Sequence, residues 1–460
     1  MNGKSFDVSG RRELFYDDFL LEERDGLEFR LHTPVERPAD PGKPSGAYLT
    51  LMRNDRGYRM YYRRTRPDYD GPKTNGNPGE YVALAESPDG LVWNAPEFNF
   101  FPNDNVPRNT IICGKMFTEG VEEKSDPLGK HKGFMSFTHN FVPIYDDRPG
   151  VPADERYKAV SGILQTGGLY TFHSADGIVW KRYDSFPVVK YDALALGGHA
   201  LDSQNVAFYS EVEKCFVLYF RVWRTSDGRK GLRSFAKAVS QDFRHWSEPE
   251  FLGPNRENEH LYVSGLRPYE RAPQYYIGAA TRFFQQRGAA TDITLLFSRE
   301  GRGIQRPFPG AWIVPGLDPV RWGNRSNYIA WGMVQNTKEE LTLYPSHQQI
   351  RFALRTDGFT SLAAGVDPGE CLTKVLKGDF KRIELNLATS AAGAFQMELC
   401  DPAGKAIDGF TFEDCGEFYG DTVDLEAKWG DRELPAGVLN SGFRLRIRMT
   451  ECDLYSIAFL

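Results

Sequence analysis

The sequence has few of the residues that build metal sites, disulfide frameworks or membrane spans. Its six cysteines are dispersed over 460 residues, with no Cys-x-x-Cys pair and no histidine cluster beside them. Zinc-ligand spacing is therefore absent, and we expect buried free thiols, no metal site and no cofactor. No apolar stretch is long enough to cross a bilayer, so a membrane partner is not expected either.

Positive charge is scarcer than negative charge. The formal net charge is −6 and no basic run is present, which argues against a nucleic-acid partner. The N-terminal stretch MNGKSFDVSGRREL lacks the apolar segment of a secretory signal. This predicts a cytoplasmic protein, or an exported one if a leader peptide has been trimmed from it. Nothing in the sequence indicates the oligomeric state.

The chain is rich in residues that favour strands and turns. It contains 32 Phe, 22 Tyr and 8 Trp, which favour β-strands, and 45 Gly and 28 Pro, which supply turns. No stretch shows sustained helical periodicity. A chain of this length forms about two to three domains, and we expect them to be all-β.

One short string recurs along the chain. SADGIVW at 174–180 reappears as SPDGLVW from Ser87 and SQDFRHW from Ser240, and in looser form as SREGRGI from Ser298 and RTDGFTS from Arg355. Each copy follows a segment that alternates apolar and polar residues. The Asp-Gly pair is typical of a hairpin turn, because glycine tolerates positive φ and aspartate bonds its own backbone. The string therefore indicates a structural turn used five times rather than a catalytic motif.

Two further strand-like segments precede every turn and one short strand-like segment follows it, so each repeat unit comprises four strands. The second segments are YRMYYRR, RYKAVSG, CFVLYFRVW, QYYIGAATRF and ELTLYPS. Five units of four antiparallel strands, with a period above about 40 residues, describe a five-bladed β-propeller. The sequence predicts this propeller over residues 45–365. Trp93, Trp180 and Trp246 of the turns are expected to be buried between neighbouring blades.

The segments on either side of the repeats follow a different pattern. Beyond residue 365, alternating strands such as KRIELNLATS and FRLRIRMTE are separated by turn residues without further repetition. They predict a C-terminal β-sandwich over residues 366–460. Residues 1–44 alternate as well, and they are expected to form a strand or hairpin that docks on the propeller.

A five-bladed propeller followed by a sandwich, with turns such as SQDFRHW, resembles the glycoside hydrolases of families 32, 43 and 68. The chain looks closest to bacterial family-32-like proteins, with which it shares YVALAESPDG, DSQN and EHLY. The resemblance implies a carbohydrate substrate and hydrolysis of glycosidic bonds. The invertase motifs of family 32 are absent, because the inner strands read SGAYLTL, HNFVPIY and DSQNVAF. The first of these also lacks the carboxylate that family 43 places there as its base.

Three carboxylates are predicted at the mouth of the propeller, where inner strands and third strands begin. They are Asp202, Glu259 and Glu80. Glycosidic cleavage needs one protonated carboxyl group and one ionised carboxylate. We expect Glu259 or Glu80 to act as the acid and Asp202 as base or nucleophile. The alternatives are a turn-capping Asp202, a solvated Glu259 in a loop, and an exposed Glu80 at a loop end.

Further polar residues are expected at the same mouth. Arginines there would hold a carboxylate in its ionised form or bind an acidic sugar. Histidine, asparagine and glutamine would bind hydroxyl groups, and Tyr262 and Trp223 would stack on sugar rings. The predicted substrate-binding residues are Arg63, His139, Asn140, Gln204, Asn205, Arg221, His260, Arg282 and Arg325.

Two other functions fit the same residues. One is a propeller that binds glycans without cleaving them, which the absent family motifs favour. The other is a sugar phosphorylase or lyase, in which Arg63, Arg221, Arg282 and Arg325 would bind phosphate or a uronate. A carboxylate pair about 5 to 10 Å apart would favour hydrolysis over binding alone.

Overall fold

The computed structural model describes residues 5–125, 133–192 and 195–460, and it is all-β with a five-bladed β-propeller. Helical structure in these ranges is confined to single turns and one short helix. The α-helical segments are Phe412–Cys415 and Ala436–Ser441, and the 3-10 turns are Ala153–Glu155, Leu164–Thr166 and Pro319–Trp322. No helix in the described ranges is long and apolar enough to cross a membrane. All six cysteines are free thiols, and five of them are buried.

Five separate antiparallel sheets form the blades, which confirms the predicted architecture. Blade 2 has an additional short strand on its third strand, and the inner strand of blade 4 is interrupted. The strands of blade 1 are Ala47–Asn54, Gly57–Thr65, Glu80–Ser87 and Thr110–Cys113, and those of blade 2 are Val142–Tyr145, Tyr157–Ser161, Gly168–Ser174, Lys181–Arg182 and Val189–Lys190. The strands of blade 3 are Val206–Ser210, Cys215–Arg224, Lys230–Ser240 and Glu250–Leu252, and those of blade 4 are His260–Leu261, Arg267–Tyr269, Ala272–Phe284, Ala290–Arg299 and Arg302–Gln305. The strands of blade 5 are Val334–Gln335, Glu340–Leu343, Ile350–Arg355 and Val35–Pro38.

Blade 5 takes its outermost strand from the chain before blade 1. Val35–Pro38 pairs antiparallel with Ile350–Arg355, and the register joins Val35 to Ala353 and Pro38 to Ile350. The sequence instead predicts that the strand after the fifth turn returns to this blade. That strand, Thr360–Ala364, is buried along its whole length and pairs outside the propeller. Its partners are Leu27–Leu31 and Arg444–Phe459, so it belongs to the second compact unit of the chain.

The second compact unit comprises residues 5–34, Thr337–Glu340 and Leu354–Leu460. Residues 5–34 therefore belong to this unit, whereas the sequence predicts them as part of a strand or hairpin that docks on the propeller. Two long strands, Ile383–Cys400 and Arg444–Phe459, pair along most of their length, with a register shift between Thr389 and Ala394. The predicted sandwich layers stay a prediction, because all eight main strands form one hydrogen-bonded network. Its other strands are Arg12–Leu14, Leu21–Asp25, Leu27–Leu31, Thr360–Ala364, Gly369–Thr373 and Asp421–Glu426, and a parallel pair joins Phe6–Asp7 to Leu376–Lys377.

The recurring turn has the same hydrogen bonds in the first three blades. In blade 2 the Ser174 hydroxyl donates to Asp176 Oδ1 at 3.0 Å, and the same carboxylate accepts the backbone N–H groups of Ile178 and Val179. Ser87 with Asp89 and Ser240 with Asp242 repeat this arrangement. The string is thus a structural turn, because its polar groups satisfy each other locally.

The tryptophans of these turns are buried to different degrees. Trp93 and Trp180 are 3% and 5% exposed, as expected for residues between blades. Trp93 packs edge-on against Tyr344, and Trp180 packs edge-on against Phe141. Trp246 is only partly buried, which differs from the prediction. Its indole N–H still donates to the carbonyl of Phe243 in its own turn.

Candidate active site at the mouth of the propeller

A pocket of about 420 Å³ opens where the inner strands of the blades begin. Every blade contributes to it, because each inner strand is entered from a loop on this side. Polar and aromatic side chains dominate its wall. The principal lining residues are Tyr48 and Arg63 of blade 1, His139 of blade 2, Asp202 of blade 3, Tyr262 of blade 4, and Arg325 and Tyr328 before blade 5.

His139 lies between two carboxylates. Its Nδ1 is 3.0 Å from Glu80 Oε1, and its Nε2 is 3.2 Å from Asp202 Oδ1. The backbone N–H of Gly76 donates to Nδ1 at 3.2 Å. A proton on Nε2 therefore bonds Asp202 and leaves Nδ1 as an acceptor for Gly76, whereas a proton on Nδ1 bonds Glu80. The Nε2 tautomer satisfies Asp202 and Gly76 together, whereas in the Nδ1 tautomer Nε2 has no proton for Asp202 and can accept one from it.

Asp202 is the described carboxylate that lines the pocket, with 13% of its side chain exposed. Arg221 Nη2 lies 3.0 Å from its Oδ2, and this buried cation favours the ionised carboxylate. Burial lowers the pKa of the Arg221 guanidinium, but Asp202, Tyr262 and Tyr48 together outweigh burial, and the pKa of Arg221 is raised. Arg221 is fixed in turn by the carbonyl of His199, which accepts from Nε and Nη2. The predicted location of Asp202 agrees with the structure.

Glu80 lies behind His139 and does not line the pocket. It is 3% exposed, and it accepts from Arg63 at 3.2 Å and from the Thr138 hydroxyl at 3.4 Å. Burial alone would raise the pKa of Glu80, but Arg63 and His139 hold it below its ordinary value. An ionised, buried carboxylate cannot protonate a leaving group. The position of Glu80 therefore does not support its predicted role as the acid, because His139 lies between it and the pocket.

Three tyrosines converge on the pocket. The ring centroid of Tyr328 lies 6.4 Å from that of Tyr48 and 5.6 Å from that of Tyr262, with both pairs edge-on. Burial raises the pKa of Tyr48 and Tyr328 well above 10, so these phenols remain protonated donors. Tyr48 has a left-handed backbone, with φ of 51°, which a non-glycine residue adopts only under constraint. Tyr48 and Tyr328 were not predicted, because aromatic residues near strand starts are common in any propeller.

Glu259 and Arg282 lie outside this pocket, in an ion-pair cluster of blade 4. Arg306 contacts both oxygens of Glu259, and Arg282 binds Asp292 through two contacts of 2.7 Å. With its carboxylate held by Arg306 and by the backbone N–H of Arg256, Glu259 has no free oxygen to present. The predicted catalytic and binding roles of these two residues are therefore not supported by their positions.

Asn140, Gln204 and Asn205 connect backbone segments rather than face the pocket. The Asn140 amide donates to three carbonyls and accepts two hydrogen bonds, so its capacity is filled. Gln204 Nε2 donates to the Leu49 carbonyl of blade 1 at 2.9 Å. Asn205 bonds the backbone of both Leu201 and Arg221. These residues hold the inner strands together, and none of them is free to bind hydroxyl groups.

His260 lies beside the pocket, next to an arginine that the sequence did not predict. Its Nδ1 accepts the backbone N–H of Arg233 at 3.1 Å. Burial and then the neighbouring Arg233 and Arg221 lower the pKa of His260 to about 4, so the ring is neutral. The Arg233 guanidinium packs on the rings of Trp223, Tyr262 and Phe283, at 4.3 to 5.2 Å from their centroids. The sequence pattern points only to strand ends, whereas Arg233 lies within a strand.

Comparisons with known proteins bear on the fold. No protein-family model and no curated protein matches the chain, so the resemblance to families 32 and 68 gains no support. Solved structures that are similar include a family 43 arabinoxylan arabinofuranohydrolase from Bacillus subtilis, at 11% identity over 91% of this chain and 96% of that protein, with a TM-score of 0.40. A β-1,2-mannobiose phosphorylase from Listeria innocua is 11% identical over 71% and 95% of the two chains, with a TM-score of 0.42. A glycosyl hydrolase from Bacteroides ovatus is 11% identical over 77% and 97%, with a TM-score of 0.41.

Proposed function

We propose that this protein is a carbohydrate-active enzyme that hydrolyses glycosidic bonds at the propeller mouth. The observation that carries the proposal is the connected set of Asp202, His139 and Glu80. Asp202 faces the pocket and is held by Arg221 on one side and by His139 on the other. An ionised carboxylate next to a ring that exchanges protons is the pairing that general base and acid catalysis requires.

Each residue has a distinct role in this proposal. Asp202 removes the proton of a water molecule that attacks the anomeric carbon. His139 Nε2, 3.2 Å from Asp202, takes that proton from the carboxylate, and a water molecule on the opposite face of the sugar protonates the departing glycosidic oxygen. Glu80 contacts His139 Nδ1 and acts as a positioning residue that stabilises the protonated ring. The phenols of Tyr48 and Tyr328 donate hydrogen bonds to sugar hydroxyls.

The test is turnover by wild type and by Asp202→Asn on a panel of neutral and acidic oligosaccharides, with products separated by chromatography. We expect wild type to release sugars and Asp202→Asn to lose at least about 100-fold in kcat, because it removes the base but keeps the side-chain shape. Asp55→Asn is the matched control, since Asp55 is exposed in the turn at the other end of the first inner strand.

The outcome of this experiment also decides between catalysis and binding. If wild type binds oligosaccharides but cleaves none of the panel, the non-catalytic glycan-binding function replaces the hydrolase. If Asp202→Asn retains full turnover, the reactive group lies elsewhere and the proposed mechanism fails. A product that carries an unsaturated sugar would identify elimination instead of hydrolysis, because hydrolysis adds water across the broken bond.

A further inference from the structure

Three guanidinium groups surround a single aromatic ring at the edge of the pocket. Arg221, Arg233 and Arg325 lie 4.6, 5.2 and 5.6 Å from the ring centroid of Tyr262. Arg233 and Arg325 also share Phe283, at 4.3 and 5.8 Å. The three arginines come from different elements, namely two strands of blade 3 and the loop before blade 5. Independent elements therefore bring three cations together at one place.

Protein carboxylates compensate only part of this charge. Asp202 pairs with Arg221 at 3.0 Å. Within the described part of the chain, neither Arg233 nor Arg325 forms an ion pair with a carboxylate. Arg233 is 8% exposed, yet its Nε and Nη1 have no hydrogen-bond partner among the described residues, and neither has Arg221 Nη1. Buried donors without acceptors are unfavourable, and more so when they are charged.

Burial and the positive charges of this cluster lower the pKa of Arg233 and His260. Burial, followed by Arg221 and Arg325, lowers the pKa of Arg233 to about 10. His260, adjacent to Arg233, has its pKa lowered by burial and by Arg233 and Arg221. Arg325 is exposed on the pocket wall, and its backbone is left-handed with φ of 56°, anchored by a hydrogen bond to the Ala289 carbonyl. Arg325 is therefore held at the pocket by its backbone, and no carboxylate among the described residues pairs with its side chain.

We propose that an oxyanion binds between Arg233 and Arg325 in the working enzyme, supplied either by an acidic group on the sugar or by free phosphate. The inference rests on the proposed function, since it names a ligand of the same pocket. A carboxylate, sulfate or phosphate presents two or more oxygens that match the planar fork of an arginine. Such a group would occupy the unpartnered donors and relieve the repulsion among the three cations.

Two sources can provide this oxyanion: a charged group on the sugar itself, or free phosphate that acts as the attacking group. Calorimetric titration of the whole protein with digalacturonate, neutral galactobiose and inorganic phosphate separates them. We expect digalacturonate to bind at least about tenfold more tightly than galactobiose. Tighter binding of phosphate, with galactobiose binding improved in its presence, would identify free phosphate as the source.

The variant that tests the site is Arg325→Gln, because Arg325 is exposed and we expect its substitution to leave the fold intact. We expect its affinity for digalacturonate or phosphate to fall about tenfold, with galactobiose unaffected. Arg108→Gln is the control, since Arg108 is a surface arginine that pairs with Glu97 away from the pocket. Arg233→Lys keeps the charge but not the fork, and should weaken oxyanion binding less than Arg325→Glu does.

Two results overturn the inference. One is equal affinity of wild type for digalacturonate, phosphate and galactobiose, including the case in which none of them binds. The other is unchanged oxyanion affinity in both Arg325→Gln and Arg325→Glu. Because binding is measured without turnover, its failure is distinguishable from failure of the hydrolase proposal. A protein that cleaves neutral glycans but ignores oxyanions would keep the proposed function and lose only the oxyanion site.

Discussion

Arg306 holds both oxygens of the Glu259 carboxylate, with Nη1 at 2.5 Å from Oε2 and Nη2 at 3.1 Å from Oε1. Both side chains are buried, at 6% and 8% exposure. Arg282 adds a longer contact of 3.9 Å to the same carboxylate. The pair joins the loop before blade 4 to the segment that follows its outer strand. Glu259 is thus part of the structural support of blade 4 and not a free catalytic carboxyl group.

This ion pair predicts that Glu259→Gln lowers the stability of the protein without lowering its catalytic activity. The variant leaves the buried Arg306 cation without its charge partner, and we expect the free energy of unfolding to fall by about 3 to 5 kcal/mol. Urea unfolding measures the effect, with Glu97→Gln as the control because that pair is exposed. The specific activity of the folded fraction should equal that of wild type. A catalytic defect without destabilisation would contradict this assignment.

His139 should be required for turnover. His139→Gln keeps hydrogen-bonding capacity at the pocket but cannot exchange a proton, so we expect kcat to fall about 100- to 10,000-fold. The loss should be in kcat rather than KM, and steady-state kinetics separate the two. A variant with the wild-type kcat would show that the ring is only structural.

Glu80 should stabilise the fold at neutral pH and lose that effect in acid. Its pKa is lowered from the ordinary value of 4.5 by Arg63 and His139, so its contribution is complete above about pH 4.5 and declines as the pH falls through the folded-state pKa. We expect Glu80→Gln to be less stable than wild type by about 3 to 5 kcal/mol at pH 7. The difference should shrink in acid. If the two proteins differed equally in free energy of unfolding at pH 7 and in acid, the ion pairing of Glu80 would be contradicted.

Because of Lys43, the free energy of unfolding should increase as the pH rises above about 7. The Nζ of Lys43 donates to the carbonyls of Pro345 and Gln348, and burial lowers its pKa to about 7 from 10.5. Between these values the unfolded chain binds the additional proton, so stability increases by up to about 1.4 kcal/mol per pH unit. We expect this rise in wild type and in the exposed control Lys181→Met, but not in Lys43→Met. Urea unfolding at pH 7, 8 and 9 measures it.

The repeated turn should contribute to stability and not to activity. Asp176→Ala removes the acceptor for the hydroxyl of Ser174 and for the N–H groups of Ile178 and Val179, and we expect a loss of about 1 to 2 kcal/mol. Thermal unfolding measures the loss, and Ser174→Ala should be milder. Reduced turnover in folded Asp176→Ala would make the repeated string a functional motif after all.

The blades could be predicted from the sequence because their signals are local. A serine, an aspartate two residues later and the N–H groups that follow satisfy one another within a single turn, so the pattern is visible without tertiary contacts. The closing strand of blade 5 depends on pairing Val35–Pro38 with Ile350–Arg355, and no local pattern encodes that partner. For the same reason the position of Thr360–Ala364 was predicted wrongly.

The sequence predicts the site residues that begin inner strands. It does not predict those whose role depends on contacts with residues far away in the chain. Asp202 and His139 follow directly from the register, and both line the pocket. Glu80 starts a third strand as expected, but its isolation from the pocket depends on where His139 points. Glu259 is neutralised by Arg306, whose sequence position gives no indication of that contact. Arg233 lies within a strand, and no carboxylate among the described residues forms an ion pair with it. An arginine in such a position is the signal that could have identified it.

The strand that closes blade 5 also sets an order of events during synthesis. Val35–Pro38 leaves the ribosome before any complete blade, whereas its partner Ile350–Arg355 follows roughly 300 residues later, or about 15 to 60 seconds at typical rates of translation. Throughout that interval the ring is open, and the edges of blades 1 to 4 form without it. The final step joins one of the earliest segments to one of the latest, and it covers the edge of Ile350–Arg355, on which a second nascent chain could otherwise add.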